Sequence, residues 1–139
     1  MELAAKSLPF MRLGTDIVYV PRIQQAWERF GDRFLAKVYT SAERDYCLRS
    51  DAHTLHRLAG RWAAKEAAVK AMGTGWRGVG YTDVEICRAQ SGAPSIQLHG
   101  RGMEVLHQFG FQAEQVAWQV SFTHDRDYAF ATVLLVAIA

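Results

Sequence analysis

The segment over residues 51–72 constrains the fold most, because it reads as one long helix that is apolar around most of its circumference. At about 100° per residue, Leu55, Leu58, Trp62, Val69 and Met72 cluster on one face. Ala64, Ala67, Ala68 and Ala71 fill the opposite side, where small residues let another element approach closely. Such a helix packs on both sides. Gly73, Thr74 and Gly75 end it, since a glycine just past a helix accepts the left-handed conformation at low cost. Four charges, Arg61, Lys65, Glu66 and Lys70, lie within or beside the stripe of large apolar residues rather than on a solvent face of their own.

The flanking pattern supplies the partners. Residues 13–20 read as a first strand, with Leu13 and Ile17 on one face and Gly14, Asp16 and Val18 on the other. Pro21 suits the first turn of a helix, and Ile23, Ala26, Trp27 and Phe30 follow at helical spacing up to Gly31. Asp32 is expected to cap a further short turn carrying Phe34, Leu35 and Val38. Thr40 and Glu43 have the form of a capping box, opening a helix over 41–49.

After Gly75 the period changes to two. Val84 and Ile86 alternate within 83–87, the turn residues Ser91, Gly92, Ala93 and Pro94 follow, and 95–99 alternates again, as in a hairpin. A short helix is expected over 101–109, ended by Gly110. Val116, Trp118, Val120 and Phe122 mark another strand. His124, Asp125, Arg126 and Asp127 read as a polar turn into a final apolar strand over 128–136. The sum is an α+β fold with an early strand, a helical middle and C-terminal antiparallel strands.

At 139 residues the chain suits one domain with a real core. A net charge of +2 falls below what a nucleic-acid binder shows, and it permits an acidic partner without demanding one. Cys47 and Cys87 form no ligand or disulfide spacing, which suits a reducing cytoplasm. No apolar run nears the roughly 20 residues that span a bilayer. Residues 1–10 lack the apolar run of a signal peptide. A cytoplasmic protein without membrane or nucleic-acid partners is expected.

The charges of the long helix have two readings. Glu66 and Lys70, four residues apart, would make a surface pair contributing about 0.2–0.5 kcal/mol. Charges among packed side chains, however, need partners or a ligand. A carboxylate among three cations suits a metal and a polyphosphate, Glu66 taking the cation and Arg61, Lys65 and Lys70 the anion. Asp16 either serves the turn near Pro21 or joins Glu66 on one Mg2+, with waters and phosphates completing the shell. His53 and His56 read as solvated helix residues, and His99 and His107 as structural. His124, in a polar turn, reads either as a plain turn residue or as an exposed functional one.

Gly14, Thr15, Asp16, Ile17 and Val18 resemble the opening strand motif of bacterial holo-acyl-carrier-protein synthases, within the 4′-phosphopantetheinyl transferase superfamily. Residues 61–67, then Lys70 and the Gly73, Thr74, Gly75 turn, resemble that family's signature helix. Gly92, Ala93 and Pro94, together with Ser121, Phe122, Thr123, His124, Tyr128 and Ala129, are similar to its later motifs.

The resemblance implies Mg2+-dependent transfer of 4′-phosphopantetheine from coenzyme A to a serine of apo acyl carrier protein. It also implies release of 3′,5′-adenosine bisphosphate, in fatty acid biosynthesis or a related carrier-protein pathway. Asp16 and Glu66 match the metal ligands and Lys70 a lysine near the reacting phosphate. Arg61, Lys65, Thr123, His124 and the Gly73, Thr74, Gly75 turn match positions lining the coenzyme A site. Arg22 and Arg29 fall where the first helix meets the acidic carrier. A homotrimer with active sites between neighbours is implied, the domain covering residues 11–139 behind an N-terminal extension over 1–10.

Two other classes compete. A Mg2+-dependent nuclease would want more carboxylates and a stronger basic surface. A non-catalytic module would hold coenzyme A or a carrier, but the acid pair Asp16 and Glu66 argues against it.

Overall fold

The computed structural model describes residues 9–49 and 51–138, so most of the expected N-terminal extension lies outside the described residues. Strand β1 (Met11–Tyr19) runs directly into helix α1 (Val20–Phe30), which carries Pro21 in its first turn. Gly31, at φ 62°, breaks that helix and opens α2 (Asp32–Val38). Gly31 rather than Asp32 is thus the N-cap. The Asp32 side chain makes no capping bond and sits in the first turn, where its charge favours the helix dipole.

The capping box forms in full before α3 (Ser41–Cys47). Thr40 Oγ1 accepts from the Glu43 amide at 3.2 Å, and the Thr40 amide donates to Glu43 Oε1 at 2.8 Å. The long helix is α4 (Thr54–Met72), ended by Gly73 in the left-handed conformation at φ 77°. It starts a turn later than the pattern predicts.

Beyond it, β2 (Val84–Arg88) and β3 (Pro94–Leu98) pair as an antiparallel hairpin with Ile86 opposite Ile96. Helix α5 (Gly100–Gln108) follows, then β4 (Val116–Asp125) and β5 (Tyr128–Ala137). β1, β5 and β4 form a three-stranded antiparallel sheet with β5 in the middle. The class is α+β, as the pattern predicts.

One boundary differs in a way that matters. β4 continues through His124 and Asp125, which pair with Ala129 and Tyr128. The turn shrinks to Arg126 and Asp127, and Arg126 takes the positive φ, 53°, that a tight hairpin asks of its first loop residue. His124 is therefore a strand residue.

The sheet lays one face on α4. Val18, Ala129, Ala131, Val133 and Leu135 are buried against the alanine side of the helix. Leu58, Val69 and Met72 fill the core on the helix's other side, each contributing about 1.5–3 kcal/mol by leaving water. Contact between β1 and α4 is closest at Gly14. A Cβ built there would stand 1.8 Å from the Ala67 carbonyl oxygen and 2.9 Å from the Ala71 amide nitrogen. Only a residue without a side chain fits. The sheet's other face is open, with Leu13 at 64% and Ile17 at 62% exposure beside exposed Tyr128 and Phe130.

Candidate active site

Because Gly14 brings β1 against the helix, Asp16, two residues on, reaches the flank of α4 on the same strand face. Lys70 donates to Asp16 Oδ1 at 3.1 Å and to the Thr15 carbonyl at 3.0 Å. Glu66 stands one turn earlier on α4. Burial raises its carboxyl above the ordinary carboxylate range, and the Asp16 charge adds to that. The Trp76 indole N–H and the Lys70 ammonium pull the other way. The Trp76 Nε1 is buried and finds no partner of full hydrogen-bond geometry, so its hold on Glu66 is one of proximity.

Two half-buried carboxylates of like charge and one exposed lysine thus meet at the edge of β1. Among the described residues no three His, Cys, Asp or Glu side chains gather where they could hold a metal. A cation here would take Asp16 and Glu66 alone from the protein. That fits Mg2+, which keeps several waters and accepts substrate phosphates as ligands.

Lys65 departs from its expected place. It is fully buried on another side of α4, with Nζ 2.8 Å from Glu43 Oε1 and both side chains at 0% exposure. Nζ also donates to the Tyr81 carbonyl at 2.8 Å and to the Val84 carbonyl. An ammonium has three donors, and all are committed, so Lys65 has none left for an anion. Glu43 is equally saturated, accepting from the Thr40 and Ile86 amides.

The glycine turn directs its donors inward. The amides of Gly73, Thr74 and Gly75 donate back to Lys70 and Val69 carbonyls at 3.0–3.2 Å, and Thr74 Oγ1 donates to the Gly75 carbonyl. These donors are spent within the turn, which leaves room beside the helix end but none of these N–H or O–H groups for a phosphate.

Arg61, Thr123 and His124 come together elsewhere, in a cavity of about 420 Å³ whose lining includes none of Asp16, Glu66 and Lys70. Its other charged or titratable lining groups are Tyr46, Arg57, Arg88, His53 and His56, with no carboxylate. The His56 and His124 rings lie 4.6 Å apart, and His56 Nε2 donates to the Arg126 carbonyl at 3.1 Å. His56, read from sequence as a solvated helix residue, is part of this wall. Gly60 admits the Phe122 ring, which a Cβ would meet at 3.1 Å.

Comparison with known proteins adds an independent line. The family model described as the 4′-phosphopantetheinyl transferase superfamily matches residues 12–133. The chain belongs to this superfamily. A holo-[acyl-carrier-protein] synthase of Gloeobacter violaceus is 55% identical over 90% of this chain and 92% of its own length. Among solved structures, the holo-[acyl-carrier-protein] synthase from Neisseria meningitidis superposes with a TM-score of 0.80 at 29% identity, covering 92% of this chain and 98% of that one. The Helicobacter pylori synthase, solved in complex with coenzyme A, gives 0.74 at 29% identity over 88% of this chain and 98% of its own. The chain is accordingly an enzyme, a phosphopantetheinyl transferase.

For this transferase, the side chains missed in the sequence are mostly aromatic. Tyr81 stacks on Trp62 at 5.2 Å and meets Trp76 at 4.3 Å, and Phe34 stacks on Trp62 at 6.1 Å. The row runs from beside Glu66 to a cavity of about 650 Å³ between α1, α2 and α4, which Phe30, Arg33, Phe34, Lys37 and Trp62 help to line. Arg22 and Arg29 are exposed on α1. Trp76 and Tyr81 lie in an irregular stretch with no period, and their only sequence signal is aromaticity straight after the glycine turn.

Proposed function

We propose that this chain transfers 4′-phosphopantetheine from coenzyme A to a serine of an apo acyl carrier protein, with Mg2+, releasing 3′,5′-adenosine bisphosphate. The observation that carries the reading is the acid pair Asp16 and Glu66 beside Lys70, on a chain that also holds a separate carboxylate-free arginine cavity. The first can serve a pyrophosphate and its cation, the second the nucleotide end of the donor. The names of the relatives, and the coenzyme A in the Helicobacter pylori structure, support both the donor and the acceptor.

Asp16 and Glu66 would hold the cation. When bound, Mg2+ supplies charge neutralisation and orientation for the pyrophosphate oxygens. The serine oxygen forms a bond to the phosphorus that carries the pantetheine arm, and the bond from that phosphorus to the bridging oxygen breaks. A Glu66 carboxylate oxygen takes up the serine proton, a role its raised pKa favours. The Lys70 ammonium, exposed and free to turn from Asp16, stabilises the charge that develops on the leaving oxygen. Positioning and electrostatics carry most of such a transfer.

Exposed Arg22 and Arg29 on α1, with Arg33 and Lys37 at the large cavity, form the basic side offered to an acidic carrier. The two halves of the site lie apart on one chain, and the sheet leaves an apolar face open. Both features support an assembly, here taken as a homotrimer, in which one copy's acid pair works with a neighbour's cavity.

The deciding assay is intact-mass spectrometry of an apo acyl carrier protein incubated with the enzyme, coenzyme A and Mg2+. The expected result is a gain of one phosphopantetheine, lost when a chelator is added. A carrier of unchanged mass, with coenzyme A shown to bind, would reduce the protein to a binding module.

A further inference from the structure

The segment that follows α4 doubles back along it. It leaves the helix at Gly73, and its Tyr81 and Val84 carbonyls meet Lys65, about 12 Å back along the helix axis. Gly75 and Gly78 in this stretch take positive φ, 55° and 71°, and a Cβ at either would meet nothing within 4 Å. The backbone there is unconfined, so its path depends on what pins it. Val79 is buried and pins the middle. Lys65 pins the far end.

That pin is one ammonium. Residues Tyr81–Asp83 form a single 3-10 turn between the two carbonyls that Lys65 Nζ holds, and Glu43 takes its remaining proton. Other bonds hold the turn to itself and to the start of α5: Asp83 Oδ2 accepts from the Gly80 amide at 2.8 Å, and the Asp83 carbonyl from the His99 amide at 2.8 Å. Lys65 supplies the tie to α4. A buried carbonyl that loses its donor draws the backbone toward another, so the turn should shift when the ammonium is removed.

The turn carries the ring that borders the acid pair. Tyr81 stacks on Trp62 at 5.2 Å and meets Trp76 at 4.3 Å. Burial lifts the Tyr81 phenol above its ordinary value and the Glu66 charge adds to that, while the Trp76 indole N–H acts on Glu66 in turn. Both rings therefore stand beside Glu66. We propose that Lys65 is a positioning residue for the transfer: by holding the Tyr81 carbonyl, it sets the Tyr81 and Trp76 rings as a wall against the Glu66 carboxylate. This rests on the reaction assigned under the proposed function. Glu43 offers a rival route, because α3 also carries Tyr46 to the arginine cavity. Damage by that route would weaken donor binding, whereas damage through Tyr81 slows the chemical step.

The test compares Glu43→Gln/Lys65→Met, which removes the ammonium without stranding a carboxylate, with Tyr81→Leu, which removes the ring. Near-ultraviolet circular dichroism of the protein without substrates comes first. Tyr81→Leu defines the band of the Tyr81 stack, and Glu43→Gln/Lys65→Met is expected to lose most of that band with its helix signal intact. In the carrier assay each variant should lower kcat by about tenfold or more and leave KM for coenzyme A within about twofold. Combining them should lower kcat no more than about twofold further, because both act through one ring. A full band in Glu43→Gln/Lys65→Met, losses that multiply in the combination, or a raised KM with kcat intact would each overturn the proposal. Where the lysine variant does not fold, Tyr81→Leu still decides: a wild-type kcat overturns the proposal, and a tenfold fall at constant KM supports it. A wild type that modifies no carrier would sink the transfer reading, and the dichroism comparison would still show whether Lys65 sets the ring.

Discussion

Lys65 and Glu66 are neighbours in the chain, yet the helix turns them about 100° apart and gives them separate tasks. Glu66 faces Asp16 at the edge of β1, whereas Lys65 enters the core and meets Glu43. Burial pulls the Lys65 pKa below the ordinary lysine value, and the Glu43 charge opposes that pull. Lys65→Met would strand a buried carboxylate, at a cost of about 3–5 kcal/mol. In urea unfolding, the Glu43→Gln/Lys65→Met double variant should lose less than the sum of the two single losses, by about 1 kcal/mol or more. Strict additivity would show that the two do not act as a pair. Periodicity made it legible that α4 carries its charges among packed side chains, and that Asp16 shares a strand face with Gly14 and Val18. It could not say which charge was already neutralised. Glu43 meets Lys65 only through the packing of α3 on α4, and no local pattern records that.

At the scale of elements, the site depends on how closely β1 lies on α4. The register that sets Asp16 opposite Ala131 also sets Gly14 opposite Val133, above Ala67. Gly14 has no positive φ among those that favour glycine, so the requirement is for space alone. Gly14→Ala puts a methyl group into helix backbone that cannot turn aside. Overpacking of this kind costs about 1–3 kcal/mol and occasionally more. The variant should therefore unfold at lower urea and, where folded, lose turnover further than its stability loss explains, because Asp16 is lifted from Lys70. Wild-type stability and turnover in Gly14→Ala would mean that strand and helix separate freely. Most elements were legible because apolar spacing marks them. β4 was read short because Thr123, His124 and Asp125 carry no alternation, and its pairing there rests on backbone bonds that side-chain pattern does not report.

For the whole molecule, the proposed trimer has a consequence that a self-contained chain cannot imitate. One variant, Asp16→Asn, damages the acid pair and leaves the cavity intact. Another, Arg57→Glu with Arg88→Glu, reverses charge in the cavity and leaves the acid pair intact. Each alone should transfer little phosphopantetheine. If one copy's acids work on a donor held by its neighbour, mixed assemblies contain interfaces at which both halves are sound. Random closed assembly from equal amounts gives about a quarter of such interfaces. Co-expression of the two chains, followed by the mass assay on tandem-purified complexes, should then recover activity well above either parent. A site lying within one chain gives no recovery at any mixing ratio, because every chain carries one damaged half. The exposed face around Leu13, Ile17 and Phe130 is the surface such an assembly would cover. Tandem-purified complexes that sediment as trimers yet stay inactive would separate the two ideas, keeping the trimer and rejecting the shared site.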